Sequence, residues 1–330
     1  MKRVLVTGAA GFIGSHLTER LLRENCEVVA IDNLSVGRRA NLSAASGDPR
    51  LSFHQLDVND PAAAELFGGV DTLFHLAALA DIVPSIEHPQ AYFRSNVDGT
   101  FAVVEAARSA GVRRIVYSAS SSCYGLPDAF PTPETAEIRP QYPYALTKYL
   151  GERIVLHWGH VYGISTVSLR FFNVFGPRAR TSGTYGAVFG VFLAQKLAGK
   201  PFTVVGDGAQ TRDFTFVSDI VEGLIVAANS DVRGDAINLG SGGTYSISRL
   251  VELLGGPVEH IAKRPGEPDC TFADIEKARR LLDWRPRVAF EEGVRTMLEH
   301  IEDWRDAPVW DAAAIAKATR SWFAYLGAAG

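Results

Sequence analysis

The pattern of apolar and polar residues in the first two-thirds of the chain alternates between two periods. Uninterrupted apolar runs are typical of strands buried on both faces, and stretches with a helical period follow several of them. This β-α-β order predicts an α/β fold, a doubly wound parallel sheet covered by helices on both faces. The pattern predicts strands at residues 3–7, 27–31, 51–56, 72–76, 114–118 and 166–170, and helices at residues 14–23, 97–110 and 142–157.

The pattern changes after Asn173. Residues 176–186 are rich in glycine, proline, arginine and threonine, which is typical of a loop, and the later elements are shorter. We predict one domain at residues 1–175, to which residues 210–230 return, and a smaller mixed α/β domain at residues 176–330. Its helical tail holds three tryptophans and is either docked on the body or a surface for a partner.

Composition excludes several classes of function. The 330 residues are 47% hydrophobic and 21% charged, with a net charge of −4, so no basic field favours nucleic acid or an anionic membrane. The three cysteines are far apart and form no zinc-like cluster. The chain enters a strand pattern at once and has no apolar run of about 18 residues. We therefore expect a cytoplasmic enzyme without a metal.

The most informative segment is a glycine-rich turn between the first strand and the first helix. Gly8, Gly11 and Gly14 follow each other at intervals of three residues. Glycine lets backbone N–H groups approach a pyrophosphate, and the helix N-terminus adds partial positive charge. Asp32 ends the second strand, where a carboxylate binds ribose hydroxyls and repels a 2′-phosphate. The pattern therefore predicts dinucleotide binding, with NAD favoured over NADP.

A second group of polar residues indicates proton transfer. Tyr144 and Lys148 are one helical turn apart, so they share a face of the predicted helix. A phenol has a pKa of about 10, and a nearby ammonium and an oxidised nicotinamide each favour the phenolate. Serines 118 and 120–122 follow a predicted strand, at the sheet edge where ligands bind. Tyr144 is thus the candidate general base.

These segments resemble the extended short-chain dehydrogenases/reductases, in the group of nucleotide-sugar epimerases and dehydratases. The resemblance covers about residues 1–305 and leaves the tail outside it. Its motifs are Thr7-Gly8-x-x-Gly11-x-x-Gly14, His75-Leu76-Ala77-Ala78, Asn96 with Gly99-Thr100, the serines with Tyr124-Gly125, Tyr144-x-x-x-Lys148, Arg170-Phe171-Phe172-Asn173, Gly206-Asp207-Gly208 with Arg212-Asp213-Phe214, Asn238-Leu239-Gly240 and Arg264-Pro265-Gly266.

The resemblance implies a Rossmann-type NAD domain, a smaller domain for a UDP-sugar, and Ser120 as the catalytic hydroxyl with Ser122 as the fallback. The expected NAD contacts are Gly8, Gly11, Phe12, Ile13, Gly14, Asp32, Asn33, Asp57, Val58, Leu76, Ala77, Ala78, Asn96, Ser118, Tyr144 and Lys148. The expected substrate contacts are Ser120, Ser122, Tyr144, Asn173, Val188, Arg212, Arg264 and Thr271. A homodimer formed through the helices at residues 97–110 and 142–157 is also expected.

The reaction is predicted from a departure within the family pattern. Related dehydratases carry an acidic pair after the catalytic hydroxyl, whereas this chain has Ser121 and Ser122, which cannot serve as the acid and base of an elimination. We therefore expect a 4-epimerase that works through a transient 4-keto sugar. A 4,6-dehydratase or ketoreductase, and more remotely a non-catalytic NAD-binding sensor, stay open.

The substrate is expected to be UDP-glucose or UDP-galactose. Thr271 falls where the family places either a large tyrosine or a small residue that admits N-acetyl groups, so UDP-N-acetylglucosamine and UDP-N-acetylgalactosamine are also expected. UDP-glucuronate is the alternative, because Arg178 and Arg180 are able to pair with a C6 carboxylate.

Overall fold

A computed structural model describes residues 1–179 and 187–327 of the chain. All six strands predicted in the first half are present; two keep their predicted bounds, and the other four differ by one or two residues at one or both ends. The strands are β1 (Arg3–Thr7), β2 (Glu27–Ile31), β3 (Leu51–His54), β4 (Thr72–His75), β5 (Arg114–Ser120), β6 (Ser165–Phe171), β7 (Val174–Phe175), β8 (Phe202–Val205), β9 (Thr211–Arg212), β10 (Thr215–Phe216), β11 (Asp235–Leu239), β12 (Tyr245–Ser246) and β13 (Val258–Ile261).

Helices connect most of these strands. The α-helices are α1 (Phe12–Arg23), α2 (Ile82–Glu87), α3 (Pro89–Phe93), α4 (Gly99–Ser109), α5 (Pro143–Tyr162), α6 (Val188–Leu197), α7 (Val217–Asn229), α8 (Ile247–Leu254), α9 (Glu276–Leu282), α10 (Phe290–Glu299), α11 (Ala312–Ala318) and α12 (Arg320–Leu326). Short 3-10 helices lie at Arg39–Ala45, Pro61–Phe67, Ser121–Tyr124 and Ile301–Trp304, and a π-helical turn at Arg94–Asp98 joins α3 to α4.

Seven of the described strands form one parallel sheet in the order β11-β6-β5-β4-β1-β2-β3. The chain proceeds outwards from β1 to β3 on one side and then returns to β4 on the other. In such sheets ligands bind at the carboxyl ends of the strands, beside the point where the order reverses. This fold is the doubly wound arrangement that the sequence predicts, and it places the candidate site above β1 and β4.

The core has two parts on the sheet, because the central strands bury side chains on both faces. One cluster contains Leu17 and Leu21 of α1 together with Leu224 of α7, and another contains Val103 and Val104 of α4. A third cluster, rich in phenylalanine, lies under α6, α8 and α10. The cluster that joins α1 to α7 ties residues beyond 210 to the sheet.

The largest differences from the predicted elements lie in two helices and in the second half of the chain. The helix predicted from residue 97 begins with α3 and the π-helical turn, and α5 continues five residues beyond 157. Residues 210–230 were predicted to return to the first domain, but strand β11, which lies beyond residue 230, also joins the sheet beside β6. The division into two domains stays a prediction. The tail folds back onto the body, where Trp322 is 4% exposed. In the described part of the chain, no helix has the length and apolar character to cross a membrane.

Candidate active site

A cavity of about 860 Å³ opens at the carboxyl ends of the central strands. Its walls come from the loops after β1, β2, β4 and β5, from the start of α5, and from residues between 173 and 271. The predicted site residues that line it are Gly8, Gly11, Phe12, Ile13, Gly14, Asp32, Asn33, Asp57, Val58, Leu76, Ala77, Ala78, Ser118, Ser120, Ser122, Tyr144, Lys148, Asn173, Val188, Arg212, Arg264 and Thr271.

The glycine-rich turn has no room for side chains. A Cβ on Gly14 would lie 2.0 Å from the carbonyl oxygen of Gly8, and one on Gly8 would lie 2.8 Å from the backbone nitrogen of Ala77. Gly8 also has a φ of 69°, which L side chains rarely adopt. Gly11 precedes α1 and supplies no side chain to cap it, so first-turn N–H groups face the cavity as donors. This backbone cradle fits a pyrophosphate.

Asp32 joins this turn to the end of β2 through hydrogen bonds. Its carboxylate accepts hydrogen bonds from the N–H of Ala10 at 2.9 Å and of Leu34 at 2.8 Å. Burial raises the pKa of Asp32, while the backbone hydrogen bonds lower it. Asn33 donates in turn to Asp57 at 2.9 Å. The two carboxylates that were predicted to bind the adenosine part of NAD therefore lie on one linked wall.

The loop after β4 is held against the glycine-rich turn by Thr7. The hydroxyl of Thr7 lies 2.7 Å from Nδ1 of His75 and accepts from the N–H groups of Leu76 and Ala77, each at 3.2 Å. Burial lowers the pKa of His75 to about 3, so the imidazole stays neutral. His75 therefore serves to position the predicted cofactor contacts Leu76 and Ala77.

Tyr144 lies in the first turn of α5, against the serines that follow β5. The Oγ atoms of Ser120 and Ser122 are 2.8 Å apart. Burial is the largest influence on Tyr144 and raises its pKa, whereas hydrogen bonds from Ser120 and Ser122 lower it. The two candidate hydroxyls thus bond to each other and line the same cavity as the phenol, and the choice of Ser120 over Ser122 as the catalytic hydroxyl stays a prediction.

Lys148 is buried one turn further along α5. Its Nζ lies 4.5 Å from the centre of the Tyr117 ring. Burial lowers the pKa of Lys148 to about 7, and the charge of Glu152 opposes this shift. The groups that lower the pKa of Tyr144 are the serine hydroxyls. The predicted action of Lys148 on the phenol stays a prediction.

Asn96 does not line the cavity, although it was predicted to contact NAD. Its side-chain amide donates to the carbonyl of Leu79 at 3.0 Å and to the hydroxyl of Thr147 at 3.1 Å, and its oxygen accepts from the N–H of Leu79 at 2.8 Å. Both ends of the amide are therefore engaged. Asn96 ties the loop after β4 to α5, which is a positioning role.

Two arginines and one carboxylate dominate the other end of the cavity. Arg212 donates to Glu267 at 2.8 Å, and the guanidinium of Arg264 lies 3.5 Å from the other oxygen of Glu267. The side chains of both arginines are 10% exposed. Two guanidiniums held this way present planar donors suited to phosphate groups. Arg212 and Arg264 are thus brought together, as the predicted diphosphate contacts require.

Thr271 bridges this end to Asn173. Its hydroxyl donates to the side-chain oxygen of Asn173 at 2.7 Å and accepts from the N–H of Asp213 at 3.1 Å. Phe189 and Phe214 also line the cavity and pack edge to face with centroids 5.3 Å apart. The substrate contacts predicted from segments far apart in the sequence therefore line one cavity.

The cavity is also lined by residues that the sequence prediction did not include, among them Asp81, Tyr142, Glu267 and Trp322. Tyr142 and Glu267 adjoin predicted motifs, so that proximity was an available signal. Asp81 follows the family segment after β4, and its charge raises the pKa of Tyr144. Trp322 lies about 50 residues beyond Thr271, the last predicted contact, and local sequence gives no signal that its tail folds over the cavity.

This arrangement agrees with comparisons to known proteins. The model of the NAD-dependent epimerase/dehydratase family matches residues 4–240. The chain is 37% identical over 306 residues to a UDP-glucose 4-epimerase of Mycolicibacterium smegmatis, which covers 90% of this chain and 97% of the relative.

The chain belongs to the NAD-dependent epimerase/dehydratase family.

Two solved structures resemble more than nine-tenths of the chain. A UDP-N-acetylglucosamine 4-epimerase from Methanobrevibacter ruminantium, in complex with UDP-N-acetylmuramic acid, has a TM-score of 0.87 at 32% identity and covers 92% of this chain and 98% of its own. A UDP-glucuronic acid 4-epimerase from Bacillus cereus, in complex with UDP-glucuronic acid and NAD, has a TM-score of 0.85 at 32% identity and covers 91% and 99%.

The family confirms the predicted fold, the predicted isomerase class and NAD as the cofactor. The residues of this epimerase/dehydratase fit that cofactor, because the turn at Gly8 and Gly14 leaves space only for backbone and Asp32 lines the same wall. The three relatives act on different UDP-sugars, so the substrate of this chain does not follow from the comparisons.

Proposed function

We propose that this protein is a UDP-sugar 4-epimerase that interconverts UDP-glucose and UDP-galactose through a 4-keto sugar. The observation that carries the proposal is the group formed by Tyr144, Ser120 and Ser122 within the cavity that also contains the glycine-rich turn. It provides one proton acceptor with two hydroxyls beside it, which is sufficient for oxidation and reduction at a single sugar carbon.

In this mechanism Tyr144 accepts the proton of the sugar 4-hydroxyl, and Ser120 and Ser122 orient that hydroxyl. NAD, which the glycine-rich turn and Asp32 would hold, would supply the acceptor and the donor of hydride for the same carbon. Asn173, Arg212 and Arg264 hold the UDP part while the keto sugar turns over within the cavity. Tyr144 then gives its proton back to the oxygen, so that the proton and the electron pair both balance.

The alternative activity, a 4,6-dehydratase, needs an acidic pair after the catalytic serine, and this chain has none there. Ser121 and Ser122 occupy the positions in question, in the 3-10 helix that follows β5. Asp81 is a carboxylate that lines the cavity, but it belongs to the loop after β4. These observations favour a simple epimerase, which needs no second acid and base.

The finer choice of sugar depends on Thr271 and on the predicted uronate contacts. Thr271 is small and holds Asn173, so it leaves space where a tyrosine would project, and we propose that N-acetylated UDP-sugars are also accepted. Arg178, proposed for the alternative UDP-glucuronate, forms an ion pair with Glu19 at 2.7 Å. Arg180 lies outside the described residues. The ion pair of Arg178 favours neutral sugars.

The test is incubation of the purified protein with UDP-glucose, UDP-N-acetylglucosamine and UDP-glucuronate, without added cofactor, followed by proton NMR. Sugars inverted at C4 are the expected product of the first two. A product with a new C6 methyl signal would establish a dehydratase instead. No conversion of any of the three sugars, by protein shown to contain NAD, would refute the proposed activity.

We also propose that two copies associate through α4 and α5. Phe101, Trp158 and Tyr162 form a continuous aromatic surface there, with Phe101 48% and Tyr162 49% exposed. An exposed cluster of this kind favours a helix-bundle interface. Light scattering is expected to give the mass of a dimer for the parent protein and of a monomer for Phe101→Glu, and a monomeric parent would contradict the proposal.

A further inference from the structure

The C-terminal tail connects the two walls of the cavity. We call residues 312–326, which comprise α11 and α12, the C-terminal strap. On one side, the hydroxyl of Ser321 donates to Glu87 at the end of α2 at 2.8 Å. On the other side, Nε1 of Trp322 donates to the carbonyl of Pro265 at 2.6 Å. The strap therefore spans from α2 to the segment that holds Arg264.

Trp322 is the residue of the strap that reaches the site. Its side chain is buried and lines the cavity. The indole lies 5.6 Å from the guanidinium carbon of Arg264 and 6.3 Å from the centre of the Tyr142 ring. Tyr142 in turn stacks almost parallel to Tyr144, with centroids 6.3 Å apart. An aromatic series thus leads from the strap to the predicted base.

These contacts restrict Arg264. Its guanidinium has the Trp322 ring on one side and the Glu267 carboxylate 3.5 Å from one nitrogen. An arginine held between a ring and a carboxylate keeps one orientation, which lowers the entropy lost when it binds phosphate. The strap thus orients a predicted diphosphate contact and also closes part of the cavity wall.

We propose that the C-terminal strap is part of the substrate site. Trp322 orients Arg264 for the diphosphate and forms part of the cavity wall. The 4-keto sugar is thereby retained until it is reduced. This inference rests on the proposed function. A keto sugar that turns over must give up its contacts with Tyr144 and the serines for part of each cycle. During that time only the UDP contacts and the cavity wall prevent its escape.

Escape of the keto sugar leaves a measurable trace. Oxidation moves the C4 hydride to NAD and the hydroxyl proton to Tyr144, and both normally return to the sugar. When the keto sugar leaves, one reduced nicotinamide stays on the protein for each molecule lost. The absorbance of reduced nicotinamide during turnover therefore measures retention separately from the rate of epimerisation.

The experiment compares Trp322→Ala with Tyr325→Ala in the full-length protein with bound NAD. Both replace an aromatic residue of α12 with alanine, but Tyr325 is 70% exposed. For Trp322→Ala we expect the Kd of UDP, measured by calorimetry, to rise about 10-fold, and reduced nicotinamide to accumulate with UDP-glucose. Tyr325→Ala is expected to match the parent protein in both measurements.

Trp322→Phe provides a second test if the alanine variant does not fold, as judged by its thermal melting curve. It keeps an aromatic ring against Arg264 but removes the N–H that donates to Pro265, so a smaller change in the same direction is expected. A Kd for UDP and a level of reduced nicotinamide equal to those of Tyr325→Ala, in whichever tryptophan variant folds, would overturn the inference. Failure of the parent protein to epimerise any UDP-sugar would count against the proposed function, whereas the UDP measurement would still test Trp322.

Discussion

The end of the cavity beside the glycine-rich turn is built mainly from backbone, whereas the end beside Arg212 and Arg264 is built from charged side chains. At the first end, Gly8 and Gly14 pack against neighbouring carbonyl and amide groups and leave no space for a Cβ. At the second end, Glu267 holds both arginines. A backbone cradle suits the pyrophosphate, which is the same for every substrate. Side chains at the second end change with single substitutions. The second end is therefore where substrate specificity is able to vary.

The two ends also differ in how far apart their residues are along the chain. We call the end beside Gly8 and Gly14 the cofactor end, and the end beside Arg212 and Arg264 the substrate end. The cofactor end uses short segments that each directly follow a strand of the central sheet. The substrate end combines residues from Asn173 to Trp322, joined by strands of two residues such as β9 and β12. Changes at the cofactor end should therefore affect every substrate alike, and changes at the substrate end should distinguish among them.

The largest effect is expected at the point where the two ends meet. Tyr144→Phe removes the proton acceptor and keeps the ring, so turnover should fall by about 10²–10⁴-fold for every UDP-sugar that the parent accepts. Bound NAD, measured after the protein is denatured, should stay at the level of the parent. A variant with near-parent turnover would remove Tyr144 from the proposed mechanism.

The next effect tests the backbone cradle. Gly14→Ala places a Cβ 2.0 Å from the carbonyl oxygen of Gly8, so the turn must shift. We expect lower NAD content and a loss of about 10²-fold in turnover, because displacements near 1 Å cost this much. Gly47→Ala is the matched control, since a Cβ there meets nothing within 4 Å. Equal NAD content in the two variants would contradict the assigned role of the turn.

At the substrate end, Thr271→Tyr should change selectivity and not the chemistry. A large ring near Asn173 should reduce kcat/KM for UDP-N-acetylglucosamine by about 10-fold or more relative to UDP-glucose. The ratio of kcat/KM for the two substrates is the measurement, and Thr271→Ser is the control because it keeps the hydroxyl that donates to Asn173. An unchanged ratio would show that position 271 does not limit the space for the N-acetyl group.

The smallest effect is on stability. Burial lowers the pKa of Lys148 to about 7, so the folded protein resists its protonation more than the unfolded chain does. The resulting loss of stability is complete below about pH 7 and fades as the pH rises towards about 10, the pKa of an exposed lysine. Lys148→Met should therefore be more stable than the parent at about pH 6, by about 1–3 kcal/mol, although less active.

The difference in melting temperature between Lys148→Met and the parent is the relevant measurement, taken at several pH values. It should shrink between about pH 6 and pH 9. A difference that stays constant or grows with pH would show that the charge of Lys148 carries no such cost.

The first half of the fold was predictable because its signals are local. The strands Arg3–Thr7 and Glu27–Ile31 are continuous apolar runs, and their bounds agree with the prediction. Strand Asp235–Leu239 pairs with β6 across about 70 residues of chain, and its apolar run is too short to indicate which sheet it joins. The two-residue strands depend entirely on such distant pairing.

The candidate site was predictable to the same extent. The residues around Gly8, Ser120 and Tyr144 belong to compact motifs and line the cavity together. Asn96 belongs to a motif as well, but a motif does not show whether a side chain faces a ligand or braces the loop beside it. Trp322 required the tail to be folded, because its partners Arg264 and Tyr142 are 58 and 180 positions away in the numbering.

The position of Trp322 also gives the protein a built-in optical probe. It is one of five tryptophans, and the indole lies against a guanidinium where the diphosphate is expected. Indole fluorescence responds to charge and polarity close to the ring, so arrival of a nucleotide should alter the emission. The emission of Trp322→Phe, subtracted from that of the parent protein, would isolate this signal and follow occupancy in real time without any attached dye.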